Sequence, residues 1–303
     1  MDSLTFKHSF NSGDLITVLP GIKHLAEKNG QKAVIYQRLN LPANYGHNDA
    51  HPVKSEDGTQ VCMNRQMFDM MKPLIESQEY VERFEIWDGQ EVTFDYDLTR
   101  HDARMPLPGG DIHKWPSLIY PQLECELDKP WIYVNYPERV KRHDGHYEAG
   151  CISIGGRGKV EHLCNETYPI GQIVINRTAR YRNPYISYHF LKNHTNRIVF
   201  IGTKDECDSF CKEWGLGDES GNYIYRLAVN DFYKVAQAIK GCKFFIGNQS
   251  LAWHIADAMK VPRILEVCVE YPNTFPTGPN GYSFVKQGAL EYRFNKLLNE
   301  TNG

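Results

Sequence analysis

From residue 171 onward the chain alternates short, almost unbroken apolar runs with amphipathic stretches. "GQIVINRT", "NRIVFIG", "YIYRLA", "KFFIG" and "RILEVCVE" read as strands. "NPYISYHFLKNH", "DECDSFCKEWG", "NDFYKVAQAIKGC" (with Asn230 as its cap) and "SLAWHIADAMK" read as the helices between them. Runs this continuous do not suit a sheet with one wet face. They predict parallel strands covered by helices on both sides. The first half repeats the scheme more loosely. "LTFKHSF" is a strand and "NSG" breaks it. Asp14 can cap a helix that runs to Gly30, and "KAVIYQ" is the next strand. "VCMNRQMFDMMKPLIESQ" has helical spacing, "YVERFEIWD" alternates like a strand, and "PWIYVNYP" reads as another strand. Residues 39–60 read as a long loop, and between 100 and 128 periodicity fades as Pro and Gly accumulate.

The predicted fold class is therefore α/β, with two Rossmann-like domains facing each other across a cleft. The expected boundaries are 1–168 for an acceptor domain and 169–303 for a donor domain. A C-terminal helix is expected to pack back on the first domain. Ligand is expected at the carboxyl ends of the strands. A chain of 303 residues can bury two such cores. Its net charge of −3 gives no support to a protein that coats nucleic acid. No apolar run approaches the roughly 20 residues of a membrane helix, and no signal peptide is visible. Eight cysteines without CxxC spacing point to reduced thiols in a cytoplasm.

Three short segments carry chemistry. Gly247-Asn248-Gln249-Ser250 joins a buried strand to a helix, where free N–H groups and the positive dipole end favour a diphosphate. Ser250 or Asn248 can equally cap the helix, which alone would explain both. His254 lies one turn on and shares a face with Ser250; a lone helical histidine is more often structural. "NSGD" places Gly13 and Asp14 at the opening of the first helix, where a carboxylate can act as general base or merely as a cap. "INRTARYR" offers Arg177, Arg180 and Arg182 beside Asn176 and Thr178; arginine forks suit phosphate, though a solvated loop would carry the same charges. Other signals are weaker. "IGGRGK" lacks Walker spacing, His143, His146 and His162 show no metal-ligand pattern, and Cys207 with Cys211 fits core packing.

Taken together these segments resemble a known family. "NSGDLITVLPGIKHL" is similar to the amino-terminal signature of family 9 glycosyltransferases, the relatives of ADP-heptose:lipopolysaccharide heptosyltransferase. "AIKGCKFFIGNQSLAWHIADAMKVPRI" resembles their carboxy-terminal signature, and "VFIGTKDE", with Gly202, matches a strand-Gly-acidic segment between them. The likeness covers the first forty residues and about 173–267. It implies a GT-B fold and a nucleotide-sugar donor held by the second half as co-substrate, with no other cofactor. A carbohydrate or other hydroxyl acceptor would lie in the first half, and transfer would need no metal. Asp14 falls on the family's catalytic base. Gly13, Asn176, Thr178, Arg180, Gly202, Asn248, Gln249, Ser250 and His254 fall on or beside the donor site. Two departures stand out. Gln249 replaces the family aspartate, and Leu251-Ala252-Trp253 replaces Gly-Pro-Met, which loses a close backbone approach and brings an indole that the helix can present to the donor pocket, the favoured reading, or turn into the core. The rival readings are a glycosyltransferase acting on a modified base in DNA, with "ERVKRHDGH" as its basic face, and a nucleotide-sugar-binding protein without turnover.

Overall fold

The computed structural model describes residues 3–43, 53–99, 110–135, 172–217 and 224–300. The expected domain boundary, "IGGRGK", His143, His146, His162 and the basic stretch 138–146 lie outside these residues. In the first half, β1 (Leu4–His8), α1 (Ser12–Asn29), β2 (Ala33–Arg38), α2 (Arg65–Glu76), β3 (Val81–Trp87) and β4 (Tyr96–Asp97) follow in order. A short helix α3 (Trp115–Ile119) comes after them, between two 3-10 turns, Ile112–Lys114 and Pro121–Leu123. The second half runs β5 (Ile173–Asn176), a 3-10 segment His189–Arg197, β6 (Ile198–Ile201), α4 (Lys204–Trp214), β7 (Tyr225–Leu227) and α5 (Phe232–Gly241). It ends with β8 (Phe244–Asn248), α6 (Leu251–Ala258), β9 (Arg263–Glu266), β10 (Gly281–Phe284) and α7 (Gln287–Asn299).

The strands form two sheets, ordered β3-β2-β1-β4 and β10-β9-β8-β5-β6-β7. Every strand pairing is parallel, as in Phe6 with Ile35 and Ile175 with Ile246. Each residue of β5, β6, β8 and β9 is buried, so helices cover both faces as the apolar runs predict. In the second sheet β8 lies between β5 and β9, so the loops after β5 and β9 flank the start of α6.

Pro20 organises the packing of α1. It has no N–H, so it cannot donate to the carbonyl of Ile16 one turn earlier. The indole Nε1 of Trp131 fills that role at 3.1 Å, while the backbone N of Trp131 donates to Ala258 O at 3.0 Å, at the end of α6. Next to Pro20, Gly21 lets the chain at Leu123 come close. A Cβ there would stand 2.8 Å from Leu123 O. One hydrophobic core consequently runs from the first sheet through α1, Trp131 and α6 to the second sheet.

Several expectations are corrected. The cap of α1 is Asn11, and Asp14 sits inside the first turn. The cap of α5 is Asp231, whose carboxylate accepts from Lys234 N at 2.8 Å, rather than Asn230. The helix expected from Asn183 begins only at His189, because side chains take up the backbone donors before it. Glu266 accepts from Asn183 N, Asn183 Oδ1 from Tyr185 N, and Gln287 Oε1 from Ser187 N, while Pro184 has none to give. Residues 131–135 form no strand, since Trp131 N is bonded to α6 and Tyr133 N to the Gln78 side chain. Among the described residues the last helix packs on the second sheet, where Leu290, Phe294 and Leu297 share a core with Phe244 and Ile264, rather than back on the first domain as expected. No helix among the described residues is long and apolar enough to cross a membrane.

Trp253 does not line a pocket. It is fully buried beside Phe245, with ring centroids 6.4 Å apart, because the third position of α6 faces the sheet. Trp253→Met should therefore lower the unfolding midpoint, by about 1–3 kcal/mol of stability, and leave the ranking of nucleotide-sugar ligands unchanged. Chemical denaturation and ligand competition on this variant would check both outcomes.

Candidate functional site

The turn between β8 and α6 is built by polar side chains that bond to protein on both sides. Ser250 caps α6; its Oγ accepts from Trp253 N at 3.3 Å and donates to Asn176 Oδ1 at 2.7 Å. Asn176, at the end of β5, donates in turn to Ile201 O at 2.7 Å, which ties the carboxyl ends of β6, β5 and β8 together. Gly202 and Gly247 allow this close approach. A Cβ would stand 2.7 Å from a Phe200 ring carbon at Gly202 and 2.9 Å from Asn176 O at Gly247.

Asn248 is fully buried. Its Oδ1 accepts from Thr178 N at 3.1 Å, and its Nδ2 donates to the carbonyls of Thr178 and Arg180. It thereby folds the loop after β5. Gln249 does the same for the loop after β9, donating to Asn273 Oδ1 at 2.6 Å and accepting from Cys268 N at 3.2 Å. A carboxylate at 249 could accept the Cys268 bond but could not donate to Asn273.

The three arginines separate. Arg177 is buried in a two-pronged bond with Glu266, Nε–Oε2 2.8 Å and Nη2–Oε1 3.0 Å. Burial works against its charge, but the bonds and attraction from Glu266 outweigh it and hold the guanidinium above its ordinary value. Glu266 also accepts from Tyr188 Oη at 2.7 Å and Asn183 N at 2.6 Å, so this cation is committed to the interior. Arg182 meets Glu213 at 3.1 Å and Thr178 O at 2.9 Å. Arg180 lies with its guanidinium over the Tyr181 ring, 4.9 Å from the centroid.

The opening of α1 meets α6 at Gly13. A Cβ there would stand 3.0 Å from His254 Cδ2 and 3.6 Å from Nε2, so only glycine leaves this edge of the imidazole its place. Asp14 follows, with Asn11 Nδ2 donating to its Oδ2 at 3.0 Å and Thr17 Oγ1 to its carbonyl at 2.7 Å. Residues from both sequence signatures thus meet at one point. Asn176, Thr178, Gly202, Asn248 and Ser250 gather at the carboxyl ends of the second sheet.

A buried group missed in the sequence completes the site. His113 comes from the first half; its Nδ1 lies 2.8 Å from Asp111 Oδ1 and its Nε2 3.8 Å from Asp257 Oδ2. Its ring stands 5.8 Å from that of His254 and 5.9 Å from that of Trp131. Asp257 is held by Arg263 Nε at 2.6 Å and Thr277 N at 2.9 Å. Burial opposes its charge, yet Arg263 and Lys260 keep its carboxyl below the usual range. Lys260 is drawn down to about 8 by burial, with Arg263 adding to the effect and Asp257 opposing it; its Nζ lies 4.1 Å from the Trp131 ring centroid. The only sequence signal was "DIHKWP", inside the stretch where periodicity fails. Among the described residues no cluster of His, Cys, Asp and Glu could hold a metal ion.

His254 is buried and its pKa is lowered to about 4, first by burial and then by His113, against the opposing pull of Asp14, Asp257 and Asp111. It is therefore neutral at pH 7, whereas the unfolded chain takes up this proton near the ordinary value of 6.5. Between these values the unfolded state binds more protons. Stability must then fall as pH drops from about 6.5 to 4, by up to roughly 3 kcal/mol. Urea midpoints across pH 5–7.5 should slope less for His254→Gln than for the wild-type protein. Equal slopes would refute this assignment.

No family model matches the chain, and no curated protein does. Solved structures do match. The E. coli ADP-heptose lipopolysaccharide heptosyltransferase II aligns over 98% of both chains, with 13% identity and a TM-score of 0.50. The dodecameric iron-containing heptosyltransferase TibC, in complex with ADP-D-β-D-heptose, aligns over 99% of this chain and 78% of its own, with 11% identity and a TM-score of 0.52. These likenesses span nearly the whole chain and establish the fold as GT-B-like, as the two signatures imply.

Proposed function

We propose that this protein is a glycosyltransferase that moves a sugar from a nucleotide-diphosphate donor to a hydroxyl of a carbohydrate or similar acceptor. One observation carries the reading. The amino-terminal turn of α1, with Gly13 and Asp14, meets His254 of α6 one turn after the Ser250 cap. A carboxylate and a helix amino end are thus neighbours, as transfer between a hydroxyl and a leaving diphosphate requires. The fold supports the same class, since two of the structures that align with it are heptosyltransferases and one of these holds an ADP-sugar.

In this mechanism Asp14 removes the proton as the acceptor oxygen attacks the anomeric carbon. Asn11 holds one carboxylate oxygen and orients it. The bond to the diphosphate breaks as the new one forms, and one such displacement inverts the anomeric configuration. The N–H groups at the start of α6, with Thr178 and Arg180, take the charge that develops on the leaving group. Arg177 and Arg182 do not serve here, because Glu266 and Glu213 engage them. Transfer proceeds without a metal, since this helix end and Arg180 supply the neutralising charge. Gln249 spends its amide on the loop after β9, which favours a hexose or heptose specificity unlike that of a site with aspartate there.

The test begins with a thermal-shift panel of ADP-, UDP- and GDP-sugars. Asp14→Asn should keep the shift given by the donor that binds and lower turnover by roughly 10²–10⁴. Turnover within a few-fold of wild type would remove Asp14 from the mechanism. Binding without turnover in the wild-type protein would favour the binding-protein alternative. Turnover should also persist in EDTA; loss restored by Mn²⁺ or Mg²⁺ would overturn the metal-free route.

A further inference from the structure

The two loops that flank the turn before α6 each present a tyrosine, and the rings meet. Tyr181 and Tyr271 have centroids 6.3 Å apart at 76°, edge to face. Tyr181 has φ 54, a left-handed conformation that bulky residues rarely adopt. Asn248 imposes it by holding the carbonyls of Thr178 and Arg180 just before. Tyr271 lies in the loop after β9 that Gln249 holds, and it is 52% exposed, with Val269 and Phe275 also exposed in the same loop. Both side chains that were expected to touch a ligand therefore act one step back, by placing aromatic rings.

We infer that Tyr181 and Tyr271 form a carbohydrate platform on which the transferred sugar of the donor stacks its apolar face. The inference rests on the glycosyltransferase reading above and adds the residues that recognise the sugar. Direction decides between sugar and base. The loop after β9 is bonded to the first half, Ile112 N to Asn273 O at 2.9 Å, on the side where Asp14 waits for the acceptor. The loops after β6 and β7 lie across β5, on the opposite side of the turn. A donor with its diphosphate at the start of α6 must point its sugar toward Asp14. Its sugar then runs along the β9 side, over Tyr271, and its base runs the other way. A pyranose has an apolar C–H face and a hydroxyl rim, which suits an amphipathic aromatic ring with Arg180 beside it.

Calorimetry with ADP, UDP and GDP, each against its glucose or mannose conjugate, tests the platform on wild type, Tyr271→Ala and Tyr271→Phe. Because Tyr271 is exposed, both variants should keep an unfolding midpoint close to that of wild type. Tyr271→Ala should weaken the conjugate by roughly 3- to 10-fold and change the affinity of the sugar-free nucleotide less than about twofold, while Tyr271→Phe restores conjugate binding. A parallel loss for nucleotide and conjugate would assign the pair to the base and overturn the inference. So would unchanged binding of both. If the wild-type protein binds the nucleotides and only Tyr271→Ala disagrees, the donor reading survives. If no nucleotide binds the wild-type protein, that reading fails and the platform with it.

Discussion

A single missing N–H sets how the two halves of this protein lie. Pro20 leaves the carbonyl of Ile16 without its helical donor, and a buried carbonyl without a partner costs about 1–3 kcal/mol. Trp131 supplies the donor from its indole and, through its own backbone, also bonds to the end of α6. One residue thus joins the first helix of the first half to the helix that follows the turn at Ser250 in the second. The approach of Leu123 over Gly21 and the stacking of Lys260 on the Trp131 ring depend on the same placement. With α1 and α6 held side by side, Gly13 comes against His254, and Asp14 comes with it.

Several polar residues of the candidate site serve as scaffold. Asn248 and Gln249 face inward and shape loops, and Asn176 and Ser250 stitch strand ends. Glu266 gathers Arg177, Tyr188 and a backbone N–H, so its buried charge is fully paired. Removing one member of such a group leaves the others unpaired, which is why a buried ion pair of this kind resists piecemeal change. In the proposed reading the ligand meets the N–H groups at the start of α6 and residues on the rims of the two loops. Nearby, His254 stays neutral because burial and His113 outweigh three carboxylates.

The strand–helix alternation of the second half was legible because each buried strand is a short unbroken apolar run, a pattern that local sequence carries. The positions of Asp14 and Ser250 at helix openings were legible too, since turn and cap chemistry act over three or four residues. The long-range partners were not. Nothing adjacent to Arg177 indicates that Glu266, 89 positions away, will claim it. Nothing adjacent to Trp253 in the sequence indicates that its face of α6 meets the sheet while His254 and Asp257 meet His113. His113 itself sits where periodicity is lost, and only its contact with His254 and Asp257 gives it meaning.

The sequence by itself determined two parallel α/β halves, the helix that starts beside Asp14 and the capped turn at Ser250, because periodicity, capping and glycine breaks are local. Only the tertiary structure decided that Arg177 and Arg182 are tied to carboxylates, that Asn248 and Gln249 hold loops, and that Tyr181 and Tyr271 meet. Those outcomes depend on which buried donors and acceptors find partners across the fold. That matching is set by packing between distant segments, and no stretch of a few residues contains it.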